Sequence, residues 1–109
     1  MPDRYYAYHA NTFVWDEEKN IKNIRKHGIS FPIAAHVFDD ELRLEYPDPE
    51  HSEEEERWHT IGLVHDILTV VYCDRVNRVT GQTDIRIISA RLATRIERDA
   101  YNNNIIGRY

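Results

Sequence analysis

The sequence is poor in cysteine and in long apolar runs, and both absences narrow the kind of protein it encodes. Its single cysteine, Cys73, excludes an intrachain disulfide framework and a metal site built from several thiolates. No apolar run approaches the roughly 20 residues that a membrane-spanning helix needs. The first ten residues are polar and rich in tyrosine, unlike a secretory signal. These features favour a cytoplasmic protein.

The sequence also lacks the local signatures of several catalytic classes. Its four glycines are scattered singly, so it contains no glycine-rich phosphate loop. It has neither the G-x-S-x-G nucleophile elbow nor the H-E-x-x-H zinc motif. His59 and His65 flank a predicted hairpin, but the six histidines and the carboxylates show no set of metal-ligand spacings. We therefore expect no metal site and no cofactor.

Length and charge indicate one small domain with an uneven surface. A chain of 109 residues suits a single core, and we divide it into an N-terminal arm over residues 1–12 and one domain over residues 13–109. The net charge is −5, yet residues 41–66 hold 2 Lys/Arg against 9 Asp/Glu, whereas residues 67–109 hold 7 against 4. The acidic total argues against nonspecific nucleic-acid binding but allows a local basic cleft. The acidic run Glu53–Glu56 is interpreted as a solvated loop or a docking patch for a basic partner.

Capping residues predict two short helices near the start of the chain. Asp16 is a predicted N-cap, and Gly28 is the predicted left-handed residue that ends a helix over residues 17–27. Ser30 caps a second helix, with Pro32 tolerated in its first turn. Both helices have apolar residues at helical spacing, so each is expected to pack on a core.

The remainder of the domain has strand patterns and one further helix. Thr94 and Glu97 form a capping box, T-x-x-E, for a last helix that ends near Asn103. Short strands are predicted over residues 13–15, 42–46, 57–64, 67–74 and 84–90. Consecutive strands on short loops favour antiparallel pairing. The fold class is therefore α+β, with helices packed on a mainly antiparallel sheet.

Among the remaining residues, the arginines have an evident chemical role, which is the binding of an anionic ligand. Arg57 begins one predicted strand, Arg86 lies inside another, and Arg91 follows near the N-terminus of the last helix. A guanidinium binds phosphate bidentately and stays charged near neutrality. Strand alternation places Arg86 with Ile88 and Ala90, on the face opposite Ile85, Ile87 and Ser89. Two interpretations stay open for Arg86: a pair with an acidic neighbour, or a contact with an anionic ligand. Cys73 is expected to be buried and inert.

Motifs at the start, middle and end of the chain form an ordered set. The set consists of Trp15-Asp16, Lys19, Asn23, Lys26-His27-Gly28-Ile29, Phe31, Val37-Phe38-Asp39-Asp40, Asp48, His51-Ser52, Arg57-Trp58, Thr60-Ile61-Gly62, residues 85–91, Ala93-Thr94, Glu97-Arg98 and Tyr101. Together they resemble the BrnT toxin family from about residue 13 to residue 103. Pro32-Ile33 stands where that family often has glutamates, and the loop over residues 76–82 is longer than usual.

The resemblance implies the toxin of a type II toxin–antitoxin system. It implies a RelE-like fold and a ribonuclease activity that cleaves RNA and inhibits translation. The implied partner is a BrnA-like ribbon-helix-helix antitoxin, which neutralises the toxin and brings the complex to its operator DNA. A toxin dimer within that complex is compatible with the resemblance.

For the reaction we hypothesise metal-independent RNA transesterification, in which the ribose 2′-hydroxyl attacks the adjacent phosphate. Arg57, Arg86 and Arg91 would converge on one open concavity, unneutralised, and stabilise the charge on the reacting phosphate. His27 is the candidate general acid or base, and Lys26 is an alternative acid or phosphate contact. Cations at a helix C-terminus also stabilise the helix, so a structural role for both stays open.

Other assignments remain alternatives at this point. Arg95 and Tyr101 of the last helix are candidates for RNA binding, against a surface or ion-pair role for Arg95 and a core role for Tyr101. The domain as a whole could instead be a non-catalytic binding module, a corepressor scaffold whose acidic segment grips a basic antitoxin. A metal-dependent nuclease would need a ligand set that the sequence does not offer.

Overall fold

The computed structural model describes residues 3–8, 10–48, 50 and 55–106, which form one sheet with helices on it. The elements in chain order are β1 (Asp3–Tyr8), β2 (Asn11–Asp16), α1 (Glu17–His27), α2 (Phe31–Ala35, continued by a 3-10 turn over His36–Asp39), β3 (Leu44–Pro47), β4 (Arg57–Val64), β5 (Asp66–Val76), β6 (Thr83–Leu92) and α3 (Arg95–Ile106). The spatial strand order is β1-β2-β6-β5-β4-β3, and only the β2–β6 pair is parallel. The predicted α+β class, and with it consistency with a RelE-like fold, is confirmed.

The first two helices begin and end where their capping residues predict. The Asp16 carboxylate accepts a hydrogen bond from the Lys19 N–H at 3.1 Å, which satisfies one of the free amides at the start of α1. Gly28 adopts φ 73° and donates its N–H to the Ile24 carbonyl at 2.8 Å. Ser30 Oγ accepts from the Ile33 N–H at 3.3 Å and starts α2.

Residues 3–8, which belong to the predicted N-terminal arm, form the edge strand β1. This strand pairs with β2 over six consecutive positions, from Asp3 opposite Asp16 to Tyr8 opposite Asn11. The side chains of β1 alternate as in a half-buried strand. Tyr6 and Tyr8 pack against the core, while Ala7 between them faces away. His9 and His51, together with Glu53 and Glu54 of the acidic run, lie outside the described residues.

The main core lies on one face of the sheet, which we call the helix-packed face because α1 and α2 cover it. The largest residues of this core are fully or almost fully buried and include Phe13, Phe31, Val37, Val70 and Ile87. The helices are also fixed by polar contacts that the apolar pattern does not show. Asn23 of α1 donates to the carbonyls of Ile29 and Ala90, at 2.8 Å each, and accepts from the Ala90 N–H at 3.2 Å.

A β-bulge in β6 changes which residues share a face. Val71 of β5 pairs with Ser89, but the next residue of β5, Tyr72, pairs with Ile87, so Ile88 has no partner in the β5 register. One extra residue reverses the alternation beyond it. Ser89 therefore lies opposite to Ile85 and Ile87, and the predicted grouping of Ser89 with those two isoleucines is wrong. Ala90 takes the inward place and packs in the main core.

The described helices are short and polar compared with membrane spans. Among the described residues, no helix is both long enough and apolar enough to cross a bilayer. The longest of them, α3, has 12 residues and begins with the predicted capping box. The Thr94 N–H donates to Glu97 at 2.9 Å, and the Glu97 N–H donates to the Thr94 hydroxyl at 3.2 Å.

Candidate active site

Three of the predicted arginines project from the sheet face opposite α1 and α2, which we call the open face. Arg57 on β4 and Arg86 on β6 are both directly opposite Cys73 of the intervening strand β5. Neighbouring strands lie about 4.8 Å apart, so roughly 10 Å separates the two backbones. Arg91 pairs with Thr69, which is four residues from Cys73 and therefore on the same face. The predicted convergence of Arg57, Arg86 and Arg91 on one surface is thus seen.

The bulge is what brings Arg91 to this surface. Arg86 and Arg91 are five residues apart, and in a regular strand an odd separation puts two side chains on opposite faces. The unpaired Ile88 adds one residue between them and restores a shared face. Helix α3 covers the end of the open face beyond Arg91, where Ile61, Ala93 and Tyr101 form a second small core.

Each of the three guanidiniums has a carboxylate partner, so the expectation that they are unneutralised is wrong. Arg86 makes a bidentate pair with Asp3 of β1, at 3.1 Å for both contacts. Arg91 makes a bidentate pair with Glu97 of α3, at 2.6 and 3.1 Å. Arg57 contacts Glu55 through Nε alone at 3.3 Å. Within the described residues, the terminal nitrogens of Arg57 have no hydrogen-bond partner.

The three ion pairs differ in how firmly they are held. Side chains of Asp3 and Glu55 are 37% and 33% exposed, whereas Glu97 is only 11% exposed. Exposed pairs contribute about 0–1 kcal/mol because water screens them. Burial by itself would raise the pKa of the Glu97 carboxyl, but hydrogen bonds from Arg91, the Thr94 amide and Tyr46 hold that pKa well below its usual range. The Arg91–Glu97 pair is therefore a fixed part of the structure, and the other two pairs are weak.

A fourth guanidinium, missed in the sequence, belongs to the same cluster. Arg75 of β5 lies two residues beyond Cys73 and donates to the second oxygen of Glu55 at 3.2 Å. Among the described contacts, Arg57, Arg75 and Arg86 thus share two carboxylates, Glu55 and Asp3. The alternation of Cys73 and Arg75 along one strand was the signal that could have found it.

A groove of about 420 Å³ runs along the open face between Arg57 and the Arg91 end. Its floor is the strand row that follows Cys73, formed by His59, Val71 and Ser89 in register. Asp48 and Glu50, from the segment after β3, form one wall. The groove therefore combines one loosely paired guanidinium with a histidine and carboxylates.

His59 is held in this groove by a hydrogen bond on one ring nitrogen and an ion-pair contact on the other. Its Nδ1 lies 3.2 Å from the Tyr46 hydroxyl, and its Nε2 lies 3.2 Å from Asp48 Oδ2. The Tyr46 hydroxyl donates in turn to Glu97 at 2.6 Å. Burial and this hydrogen bond raise the pKa of the Tyr46 phenol well above its usual value. The contacts of His59 and Tyr46 therefore link the groove to the Arg91–Glu97 pair.

A second concavity, of about 270 Å³, lies on the other side of Arg86. Arg75 and Arg78 line it together with Asp3 and Asp84. Arg78 belongs to the β5–β6 loop, the one that is longer than usual, so this loop does adjoin the arginine cluster. Between the two concavities, Cys73 is buried, and burial raises the pKa of its thiol. The expectation that Cys73 is an inert buried cysteine fits this environment.

The remaining predicted site residues do not join the cluster. Lys26 and His27 end α1, whose packing on the helix-packed face puts the sheet between them and the arginines. Tyr101 is buried in the core under α3 and donates to Asp40, so it is not available to RNA. Burial and that hydrogen bond raise the pKa of Tyr101 to about 12. Arg95 is exposed at the start of α3.

The described residues contain no group of three or more His, Cys, Asp or Glu side chains arranged to hold a metal ion. The groove residues His59, Asp48 and Glu50 do not amount to such a group. Within the described residues, the open face offers guanidiniums, carboxylates, the His59 imidazole and the Tyr46 phenol.

Comparison with known families identifies the protein class. Residues 15–97, about three quarters of the chain, match the family described as "Ribonuclease toxin, BrnT, of type II toxin-antitoxin system". The chain belongs to this family. As a BrnT-family member it is a ribonuclease toxin that has RNA as its target and an antitoxin as its partner. No curated protein matches the chain.

The part of the chain that matches the BrnT family includes the arginine cluster of the open face. It contains Arg57, Arg75, Arg86 and Arg91, and it ends at Glu97. Strand β1 lies outside it, so Asp3, the partner of Arg86, comes from a part of the chain that the family match does not include.

Proposed function

We propose that this chain cleaves RNA on the open face by a metal-independent transesterification and thereby inhibits translation. The observation that supports this most directly is the register of Arg57 and Arg86 on either side of Cys73. Two arginines on one face, whose backbones are roughly 10 Å apart, can both reach a phosphodiester lying between them. The groove next to Arg57 gives the flanking nucleotides a place to lie.

The reaction converts a phosphodiester into a crowded, negatively charged phosphorane. The ribose 2′-oxygen attacks phosphorus and the 5′-oxygen leaves, which gives a 2′,3′-cyclic phosphate and a 5′-hydroxyl. Cations placed around the developing charge typically accelerate such a step by 10²–10³ per group, or about 3–4 kcal/mol. Guanidiniums do this without a metal, since they remain protonated and donate in pairs.

The arginines contribute unequally because their carboxylate partners differ. Arg57 has the most donors to offer, since Glu55 takes only its Nε proton. Phosphate displaces Asp3 from Arg86 at low cost, because that pair is exposed. Arg91 keeps Glu97 and acts from a fixed position at the far end of the groove. Arg57 is therefore the principal phosphate contact, followed by Arg86 and then Arg91.

The partner we propose is a basic ribbon-helix-helix antitoxin of the BrnA type, through which the complex reaches operator DNA. The acidic segment over residues 41–66 supports a basic partner. Asp48 and Glu50 belong to this acidic segment and line the edge of the groove. An antitoxin bound to them would block the access of RNA to the groove. The proposed inhibition of translation implies that the toxin acts in the cytoplasm, and the proposed complex can contain a toxin dimer.

The experiment is cleavage of a defined RNA by the purified protein in EDTA, with the cyclic phosphate end assayed directly. We expect cleavage by the wild type, a loss of 10²–10³-fold in Arg57→Ala, and a smaller loss in Arg86→Ala. Arg25→Ala is the matched control, because Arg25 is an exposed arginine on α1, on the other side of the sheet.

Three results would contradict the proposal, and each points elsewhere. Abolition of cleavage by EDTA indicates a metal-dependent nuclease. Equal losses in Arg57→Ala and Arg25→Ala remove the open face from the mechanism. Absence of cleavage and of growth arrest on expression supports the alternative of a non-catalytic corepressor scaffold.

A further inference from the structure

We infer that His59 is the proton donor of the cleavage reaction and that Tyr46 and Asp48 position its two ring nitrogens. This inference rests on the proposed cleavage at the open face. The family resemblance assigns no role to position 59. The donors and acceptors in the groove do so, because Glu97 fixes the proton positions of its neighbours.

Glu97 is ionised and accepts hydrogen bonds only. One oxygen accepts from Arg91 at 2.6 Å and from the Thr94 amide at 2.9 Å. The other accepts from Arg91 at 3.1 Å and from the Tyr46 hydroxyl at 2.6 Å. An ionised carboxylate has no proton to donate, so the proton between Tyr46 and Glu97 belongs to Tyr46.

Because Tyr46 donates to Glu97, the direction of the hydrogen bond between Tyr46 and His59 is fixed. A phenol has one proton, and Tyr46 gives it to Glu97. The Tyr46 oxygen can therefore only accept from the other side, where His59 Nδ1 lies at 3.2 Å. His59 accordingly carries a proton on Nδ1.

The second ring nitrogen faces another acceptor. His59 Nε2 lies 3.2 Å from Oδ2 of Asp48, a buried carboxylate whose Oδ1 accepts from the Glu50 amide at 3.0 Å. An ionised carboxylate in this position accepts from Nε2, because two facing acceptors would repel each other. In the acid form that donates in the reaction, each ring nitrogen therefore has an acceptor.

Other described residues also line the groove around His59. Arg57 and Glu50 do so with opposite charges. The groove residues from β5 and β6, Val71, Ile88 and Ser89, carry no charge. Among the residues that the structure describes, Asp48 is the carboxylate in direct contact with the ring, and Tyr46 supplies the neutral acceptor on the other nitrogen.

The position suits donation to the leaving group. His59 is two residues from Arg57 on the same strand and the same face, so a phosphate held by Arg57 lies next to the ring. As the bond from the 2′-oxygen to phosphorus forms, the bond from phosphorus to the 5′-oxygen breaks, and that oxygen keeps the electron pair. It takes the Nε2 proton, which Asp48 holds in the resting state. The 2′-hydroxyl proton passes to water, and the neutral imidazole regains a proton from water.

The decisive test compares an ordinary RNA with one whose scissile 5′-oxygen is replaced by sulfur. A thiolate leaves without needing a proton, so loss of a proton donor harms cleavage of the oxygen substrate only. We expect His59→Gln to cleave the ordinary RNA at least about 10²-fold more slowly than the wild type. We expect it to cleave the sulfur substrate at close to the wild-type rate.

Several outcomes would overturn the inference. An equal loss on both substrates shows that His59 only maintains the groove, and no loss on either shows that it is not used. Both leave the proposed ribonuclease function standing, since the wild type still cleaves. Failure of the wild type on both substrates overturns the proposed function and the inference together.

A second variant tests the positioning role of Tyr46. Tyr46→Phe keeps the ring, whose centroid lies 4.9 Å from that of His59, but removes the oxygen that accepts from Nδ1. The His59 ring then loses one of its two polar contacts, so kcat on the ordinary RNA should fall while KM and the rate on the sulfur substrate stay close to the wild-type values. His65→Asn is the control, because His65 is exposed in the β4–β5 turn at φ 61°, a conformation that asparagine tolerates. An unchanged kcat on the ordinary RNA in Tyr46→Phe contradicts the positioning role.

Discussion

The two faces of this sheet are held by different forces. On the helix-packed face, aromatic and aliphatic side chains are removed from water, and buried asparagines tie α1 to its neighbours. On the open face, α3 is fastened by the Glu97–Arg91 pair and a small apolar core, and β1 contributes the exposed Asp3–Arg86 pair. The larger apolar core thus lies on one face, whereas the other carries most of the paired charged groups.

The largest expected effect is on the helix-packed face. Phe31 is fully buried, and its ring packs edge-on against Trp15 with centroids 6.2 Å apart. Phe31→Ala leaves a cavity in the main core, so we expect a loss of about 3–5 kcal/mol in the free energy of unfolding. Urea denaturation measures it. A loss below about 1 kcal/mol would mean that this face does not carry the stability.

The next effect is acid sensitivity on the open face. Glu97 has a lowered pKa, so its contribution is present above the unfolded value of 4.5 and is lost as pH falls below that value. Charge-assisted hydrogen bonds contribute about 1.5–3 kcal/mol, which sets the scale of the loss.

Glu97→Gln provides the matching measurement, by denaturation at several pH values. This variant should be less stable than the wild type at pH 7, and the difference should shrink as pH falls below 4.5. A constant difference at all pH values would contradict the assignment of this acid sensitivity to Glu97.

A comparable or smaller effect is expected at the polar contact between α1 and β6. Asn23→Ala removes two donated hydrogen bonds and one accepted one, and it leaves both backbone groups of Ala90 unsatisfied. Unsatisfied buried groups cost about 1–3 kcal/mol. We expect this loss to be the same at pH 4 and pH 7, in contrast to Glu97→Gln. A strong pH dependence for Asn23→Ala would break the distinction between the faces.

The smallest effect on stability is expected at Asp3. Its pair with Arg86 is exposed, so Asp3→Asn should change the free energy of unfolding by at most about 1 kcal/mol. The same change frees Arg86, and a non-cleavable RNA should bind several-fold more tightly and with a steeper dependence on salt. Filter binding at two salt concentrations checks this. Weaker binding in Asp3→Asn would show that Asp3 orients Arg86 instead of competing for it.

The parts of the fold that depend on neighbouring residues were predictable. The caps of α1 and α2, the capping box of α3 and the bounds of β4 agree with the structure because each depends on a signal within a few residues. The second and third helices and the other strands begin or end a few residues from the predicted positions, as local periodicity is weakest at the ends of elements.

The site was predictable only in part, since it depends on distant contacts. The choice of Arg57, Arg86 and Arg91 anticipated a shared surface, but the partner of Arg86 is 83 positions away in sequence. Lys26 and His27 were assigned to the same site from their chemistry, and the packing of α1 separates them from it. Tyr101 faces the core, a direction that its motif does not reveal. The role inferred for His59 depends on its contacts with Tyr46 and Asp48, which lie 13 and 11 positions earlier in the chain.

The unpaired Ile88 has a consequence for the kinds of change this strand can tolerate. A substitution at position 88 does not change the number of residues between Arg86 and Arg91. Deletion of one of these residues, with the bulge retained, would reverse the alternation. Arg91 would then point toward α1 and away from Glu97. Insertions and deletions in β6 should therefore be far more damaging than replacements, and the length of this strand is as much a part of the site as the side chains on it.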